Sequence, residues 1–118
     1  MELIKKDNTE NNGNVSDSDT KKRGYTHTLQ KPFEYCGKTY ERFDFDFEKL
    51  TGDDMVDIEN EMAAVGEYAV SPEISNSFLA RMAARAADVG SDVILKLPLK
   101  EFSKIKNKSR NFLVNMDS

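Results

Sequence analysis

A chain of 118 residues, 38% of them hydrophobic and 32% charged, can form at most one domain with a thin core. No run of about 18 apolar residues is present, which argues against a transmembrane helix. The net charge of −4 is unevenly spread: residues 41–73 hold eleven acidic residues against two basic ones, whereas residues 92–118 hold six basic against three acidic. This asymmetry suits a charged partner, a second copy, or two solvated faces of one domain.

Two features of the sequence bear on cellular location. Residues 1–7 have no apolar stretch behind a basic start, so no secretory signal is expected. The single cysteine, Cys36, cannot form an internal disulfide and suits a reducing compartment. We therefore expect the protein in the cytoplasm.

Residues 1–24 have the composition of a polar tail. Asn, Asp, Ser, Thr and Lys dominate, and Leu3, Ile4 and Val15 are the only large aliphatic residues after Met1. Such a segment buries too little apolar surface to offset the entropy lost on ordering. We predict a disordered tail over residues 1–24 and a single domain over residues 25–118.

A β-hairpin is predicted for residues 25–48. The first strand starts at Tyr25 and meets Pro32, which cannot donate a ladder hydrogen bond, so the strand either lies at an edge or resumes after the proline. Gly37 can supply the positive φ of the turn. In the return strand Phe43, Phe45 and Phe47 alternate with charged residues, as in a half-buried strand.

A first helix is predicted after Thr51, where a hydroxyl and two acidic residues suit a helix N-terminus. Gly66 is the predicted stop. The apolar residues of this stretch recur at helical spacing: Met55, Ile58, Met62 and Val65.

Further helices are predicted up to residue 114. Ser71 followed by Pro72 is a helix start, and Gly90 is the expected end of that helix. A short segment at 93–95 and a last helix opened by Pro98 complete a helical body over residues 51–114. Because the hairpin precedes the helices, the predicted fold class is α+β.

Catalytic and metal sites find little support in the sequence. His27 and Cys36 are the only histidine and cysteine, and no second histidine or nucleophile motif accompanies them. We expect a buried or half-buried cysteine and no enzymatic activity. Asp44, Asp46 and Glu48 could hold Mg²⁺ or Ca²⁺, but they lack EF-hand spacing and suit a solvated strand face. No cofactor motif is present, so no cofactor is predicted.

Basic residues are concentrated near the C-terminus. Those at 96, 100 and 104 line up at helical spacing, which allows a nucleic-acid-binding regulator as one alternative function. The acidic remainder of the domain favours a solvated face or a patch that meets an acidic partner. The six residues are Lys96, Lys100, Lys104, Lys106, Lys108 and Arg110.

Several short motifs resemble a known family. They are Thr-Leu-Gln-Lys-Pro-Phe at 28–33, Gly-Lys-Thr-Tyr at 37–40, Phe-Asp-Phe at 43–45 and Leu-Thr-Gly-Asp-Asp at 50–54. Together they resemble the opening of tail assembly chaperones of long-tailed bacteriophages and prophages, and residues 97–113 resemble that family's last helix. The resemblance covers about residues 25–114. The polar N-terminal tail is a departure from it.

The resemblance implies a specific role. Such chaperones bind the tape measure protein, keep its hydrophobic helices soluble, and help recruit tail tube subunits around it. They act in the host cytoplasm and are not expected in the mature virion. A small structural tail or connector subunit is the leading alternative.

Apolar side chains on the predicted helices are candidates for the partner-binding surface. Methionine suits an adaptable surface because its flexible thioether repacks easily. The alternative is that these residues fill the thin core, and the aromatic and aliphatic members could also mediate self-association. The free hairpin edge could add a strand or pair two copies. The candidate residues are Met55, Met62, Phe78, Met82, Phe102, Ile105 and Phe112.

Overall fold

A computed structural model describes residues 24–115 of the chain. The predicted tail, apart from Gly24, lies outside the described residues. Strand β1 spans Tyr25–Tyr35 and strand β2 spans Lys38–Phe45, and they form a two-stranded antiparallel sheet. The predicted hairpin followed by helices is therefore confirmed, and the fold class is α+β.

The hairpin turn consists of Cys36 and Gly37, which both have positive φ, 51° and 78°. Two such residues form the tight turn that matches the twist of paired strands. The predicted role of Gly37 is confirmed. Cys36 is exposed, so the expectation of a buried or half-buried cysteine is wrong. The turn places this residue at the hairpin tip, where neither strand covers it.

The register of the hairpin is interrupted at the proline. Tyr25 to Thr28 pair with Phe45 to Arg42, and pairing resumes at Phe33 with Tyr40. Pro32 lies within the irregular stretch, where its missing N–H leaves no ladder bond broken. Of the two alternatives predicted for this strand, an edge position or pairing that resumes after the proline, the register shows the second.

The inner face of the sheet is aromatic. Phe43 and Phe45 of β2 are buried, as their alternation predicts. Phe47 is also buried, but it lies beyond the end of β2, so the predicted return strand is too long. The rings of Phe45 and Phe47 stack at 5.8 Å between centroids, and Phe47 stacks at 5.5 Å on Phe112 of the last helix. This ladder of rings joins the hairpin to the helical body.

Four α-helices and two short 3₁₀ turns follow within the described residues. The helices are α1 Gly52–Ala64, α2 Asn76–Ala87, α3 Ser91–Leu95 and α4 Leu99–Asn115, and the 3₁₀ turns are Phe47–Lys49 and Pro72–Ile74. The start of α1 has the predicted chemistry: the Thr51 backbone N–H donates to the Asp54 carboxylate at 2.7 Å.

The predicted ends of α2 are wrong at both termini. Ser71 and Pro72 lead into the 3₁₀ turn, and α2 begins later because the Ser75 Oγ accepts a bond from the Phe78 N–H at 3.1 Å. At the other end Asp88, rather than Gly90, adopts the left-handed conformation (φ 57°) that ends the helix. Aspartate tolerates this conformation better than most residues.

Helix α2 occupies the centre of the domain. It packs against α1, α3, α4 and β2, and the C-terminal carbonyl of Ala86 accepts a bond from the Asp46 N–H at 3.0 Å. Its small residues Ala80, Ala83 and Ala84 are buried and allow close approach of these neighbours. Among the helices of residues 24–115, none has the length and apolarity needed to cross a membrane.

Candidate functional site

A buried polar network links β1 to α4. His27 and Glu101 are only 5% and 6% exposed, and His27 Nε2 lies 2.6 Å from Glu101 Oε1. The Tyr25 hydroxyl lies 2.9 Å from His27 Nδ1, and the Gln30 backbone N–H donates to Glu101 Oε2 at 2.9 Å. Both carboxylate oxygens and both ring nitrogens are therefore occupied, as buried polar groups require.

The hydrogen bonds of this network join β1 to α4. Burial, helped by the negative charge of Glu101, raises the pKa of the Tyr25 phenol, which keeps it protonated. The bond from the Gln30 N–H, assisted by His27, lowers the pKa of Glu101 against the opposing effect of burial. Cys36 is exposed at the hairpin tip and takes no part.

A second charged cluster joins α1 to α2. Arg85 of α2 donates from Nε to Asp54 at 2.8 Å, and its other nitrogens reach Asp57 at 3.2 Å and Glu61 at 3.3 Å. The bond from the Thr51 backbone, followed by that from Arg85, lowers the pKa of Asp54. These side chains are partly exposed, so water screens their attraction.

Arg81 extends this cluster one helical turn towards the start of α2. Its guanidinium contacts the Ser77 hydroxyl and lies 3.5 Å from Glu67 and 3.6 Å from Glu61. The Arg81 side chain is only 11% exposed, so its charge interacts with Glu61 and Glu67 and is little accessible to a partner. Within residues 24–115, no three His, Cys, Asp or Glu side chains converge to hold a metal ion.

The structure places the predicted partner-binding residues in or against the core. Four are buried, with exposures of 5% or less: Met62, Phe78, Met82 and Ile105. The other three are half-buried and pack against the same core: Met55, Phe102 and Phe112. The alternative of core filling therefore describes their positions. A partner could reach the buried four only if the domain opened.

An exposed apolar segment at residues 65–74 was missed by the sequence reasoning. We call it the apolar segment, and its large side chains are Val65, Tyr68, Val70 and Ile74, exposed by 64%, 78%, 97% and 72%. Val65 was predicted as the last apolar residue of the first helix, but α1 ends at Ala64 and Val65 follows it as an exposed cap residue. Ile74 lies in the 3₁₀ turn before α2, which begins only at Asn76.

A signal for this segment was present in the sequence. Four large apolar residues fall between the end of α1 and the start of α2, in a stretch that also contains Gly66, Ser71 and Pro72. Turn-forming residues predict a surface loop, and large apolar side chains in a loop have no core to enter. Their clustering is what distinguishes them from isolated exposed residues.

The basic stretch does not form the predicted single face. Lys96 is the cap residue that follows α3, so it is not on the helix that carries Lys100 and Lys104. Farther along α4, the Lys108 ammonium lies 4.8 Å from the centroid of the Tyr25 ring. One of the basic residues is thus engaged with the hairpin.

Comparisons with known proteins returned no relatives. No protein-family model, no curated protein and no solved structure matches this chain.

Proposed function

We propose that this protein is a non-enzymatic chaperone for assembly of a long phage tail, which binds the tape measure protein and helps recruit tail tube subunits. The motif residues quoted above support the proposal, together with the hairpin-then-helices architecture that the resemblance implies. Leu29, Phe43 and Phe45 of those motifs are buried, and Gly37 forms the turn.

The observation that carries the proposal is the apolar segment. Exposed clusters of large apolar side chains mark interaction sites, and here four such side chains are exposed within ten residues of the chain. A chaperone for hydrophobic helices needs a surface of this kind that remains accessible and adaptable. Residues 65–71 lie outside regular helices and strands, so the segment can adjust to different client side chains.

The proposed site of action is the host cytoplasm, and the protein leaves before the virion is complete. A structural subunit of the tail or connector would instead remain in the particle. Mass spectrometry of purified virions separates the two: the chaperone proposal requires the protein to be absent, and stoichiometric presence would favour the structural subunit.

Co-expression tests the chaperone role directly. The tagged chain would be produced with and without the tape measure protein encoded near it, followed by affinity capture and light scattering of the soluble fraction. We expect a soluble complex that contains the tape measure protein, which alone should remain insoluble. A tape measure protein that stays insoluble and uncaptured in the presence of this chain would refute the proposal.

A further inference from the structure

The apolar segment lies in the most acidic part of the chain. Residues 50–80 contain seven acidic residues and no lysine, arginine or histidine. The nearest cations along the chain on the helix side are Arg81 and Arg85, which contact four of the seven: Asp54, Asp57, Glu61 and Glu67. The negative charge therefore exceeds what the two arginines can balance.

Three acidic residues of this part of the chain have no such contact with another described residue. They are Asp53, Glu59 and Glu73, for which no cation among residues 24–115 lies within ion-pair distance. Asp53 and Glu59 are exposed on α1, and Glu73 is half-buried beside Ile74 in the 3₁₀ turn. Glu73 belongs to the apolar segment and Glu59 lies near the end of α1 that precedes it, whereas Asp53 is at the opposite end of α1, about 18 Å along the helix from Val65. Negative charge without a cationic partner among residues 24–115 therefore adjoins the segment at Glu59 and Glu73, and it favours a positively charged partner.

Leu99 is an exposed apolar residue outside the apolar segment, and the charged residue that follows it is basic. Leu99 is 76% exposed at the start of α4, and Lys100 follows it directly. This position is basic where the apolar segment is acidic. It provides a matched control, because the same loss of exposed apolar surface can be made in the opposite electrostatic environment.

We propose that the apolar segment is the docking surface for an amphipathic client helix whose apolar stripe is flanked by lysine and arginine. The inference rests on the proposed function and names the chemistry of the client segment. Burial of Tyr68, Val70 and Ile74 against the stripe supplies the affinity, at roughly 25 cal/mol per Å² of apolar area buried. The acidic side chains favour helices with basic flanks and speed their encounter.

The first experiment removes the apolar side chains. The triple variant Tyr68→Ser, Val70→Ser, Ile74→Ser would be compared with the control Leu99→Ser, Val114→Ser, which also removes exposed apolar side chains. We expect the triple variant to bind the tape measure protein at least about tenfold more weakly, and the control to change binding less than about twofold. Circular dichroism checks that both variants remain folded.

The second experiment tests the charge preference with defined probes. Two synthetic 18-residue helical peptides would share one leucine stripe, flanked by lysines in one and by glutamates in the other. We expect the lysine-flanked peptide to bind tighter, and Glu59→Lys, Glu73→Lys to remove that preference. The control Glu34→Lys, Glu41→Lys, on exposed positions of the hairpin, should leave the preference in place.

The outcomes separate this inference from the proposed function. Absence of tape measure capture by the wild-type chain refutes the function, whereas capture that the triple serine variant leaves unchanged refutes the docking surface alone. Equal binding of the two peptides refutes the charge preference. A mass that rises with concentration in the wild type and in the Leu99, Val114 control, but not in the triple serine variant, would assign the surface to a second copy instead and overturn the inference.

Discussion

One apolar core runs through the domain, but the polar contacts on its two sides differ in kind. On the hairpin–α4 side, the buried His27–Glu101 pair and a stack of aromatic rings join β1, β2 and α4. On the α1–α2 side, Arg85 reaches three carboxylates at the surface, and the connection between the helices leaves the apolar segment in solvent. The hydrogen bonds of the hairpin–α4 side are buried, whereas the ion pairs of the α1–α2 side are exposed to water beside the apolar segment.

The comparison indicates where the molecule can change shape at a low cost in free energy. A buried pair that loses one partner leaves the other desolvated and unsatisfied, so the hairpin–α4 side tolerates little rearrangement. Exposed ion pairs contribute little each, and water replaces them readily. The buried side chains of α1 and α2 fix the two helices, so the adaptable part of this side is the exposed connection between them, which contains the apolar segment.

The largest expected contrast is between an aromatic ring of the stack and one of the apolar segment. Phe45 is 2% exposed and stacks on Tyr25 and Phe47, whereas Tyr68 is 78% exposed. Phe45→Ala should lower the free energy of unfolding by about 3–5 kcal/mol, and Tyr68→Ala by less than about 0.5 kcal/mol. Urea denaturation followed by circular dichroism measures both. Similar losses for the two variants would contradict the comparison.

Removal of the buried carboxylate should have the next largest effect. Glu101→Ala leaves the Gln30 N–H and a ring nitrogen of His27 without their partner. We expect a loss of about 2–4 kcal/mol in the free energy of unfolding, because these groups stay buried.

A double-mutant cycle separates that pair from simple loss of packing. His27→Ala would be combined with Glu101→Ala, and the double variant should lose clearly less stability than the sum of the single losses. Additive losses would mean that the two side chains do not interact, and would contradict a stabilising role for the His27–Glu101 pair between β1 and α4. Exposed Glu41→Ala on β2 serves as the control and should change stability by less than about 0.5 kcal/mol.

Acid should weaken the interaction of Glu101 with His27 and the Gln30 N–H. The Gln30 N–H, together with His27 and the nearby Lys104, lowers the pKa of Glu101 from its ordinary value of 4.5. A lowered folded-state pKa means that the unfolded chain binds the proton more readily. The ionised Glu101 carboxylate therefore contributes fully to the free energy of unfolding above pH 4.5, and this contribution is lost as the pH falls through the lower folded-state pKa.

Unfolding curves from pH 7 to pH 3 test this direction. The stability difference between the wild type and Glu101→Gln should shrink as the pH falls below 4.5. A difference that stays constant would show that the ionised carboxylate adds nothing that the amide does not. The Tyr25 phenol does not titrate in this range, because its pKa is raised above 10.0.

The sequence predicted the hairpin and its inner face well because those signals are local. Alternation of Phe43, Phe45 and Phe47 and the turn at Gly37 depend on neighbours a few residues away. The predicted start of α2 was wrong because Ser71 and Ser75 both suit a helix N-terminus, and local sequence does not distinguish between them.

The candidate site was predicted least well, for reasons of distance along the chain. His27 and Glu101 are separated by 74 positions, and no local pattern relates them. Periodicity located apolar helix faces but could not distinguish a face that binds a partner from one that fills the core. Phe78 and Met82 proved to be core residues, so their replacement by Asp would test folding rather than binding.

The smallest expected effect is on the α1–α2 side. Arg85→Met keeps a long side chain for packing but removes the charge shared by Asp54, Asp57 and Glu61. We expect a loss of about 1 kcal/mol that disappears almost completely in 1 M salt, where the screening length falls to about 3 Å. The loss caused by Glu101→Ala should persist in the same salt, because that pair is shielded from ions by burial. Denaturant titrations at low and high salt measure both, and a salt-independent loss for Arg85→Met would mean that the polar contacts on the two sides do not differ in kind.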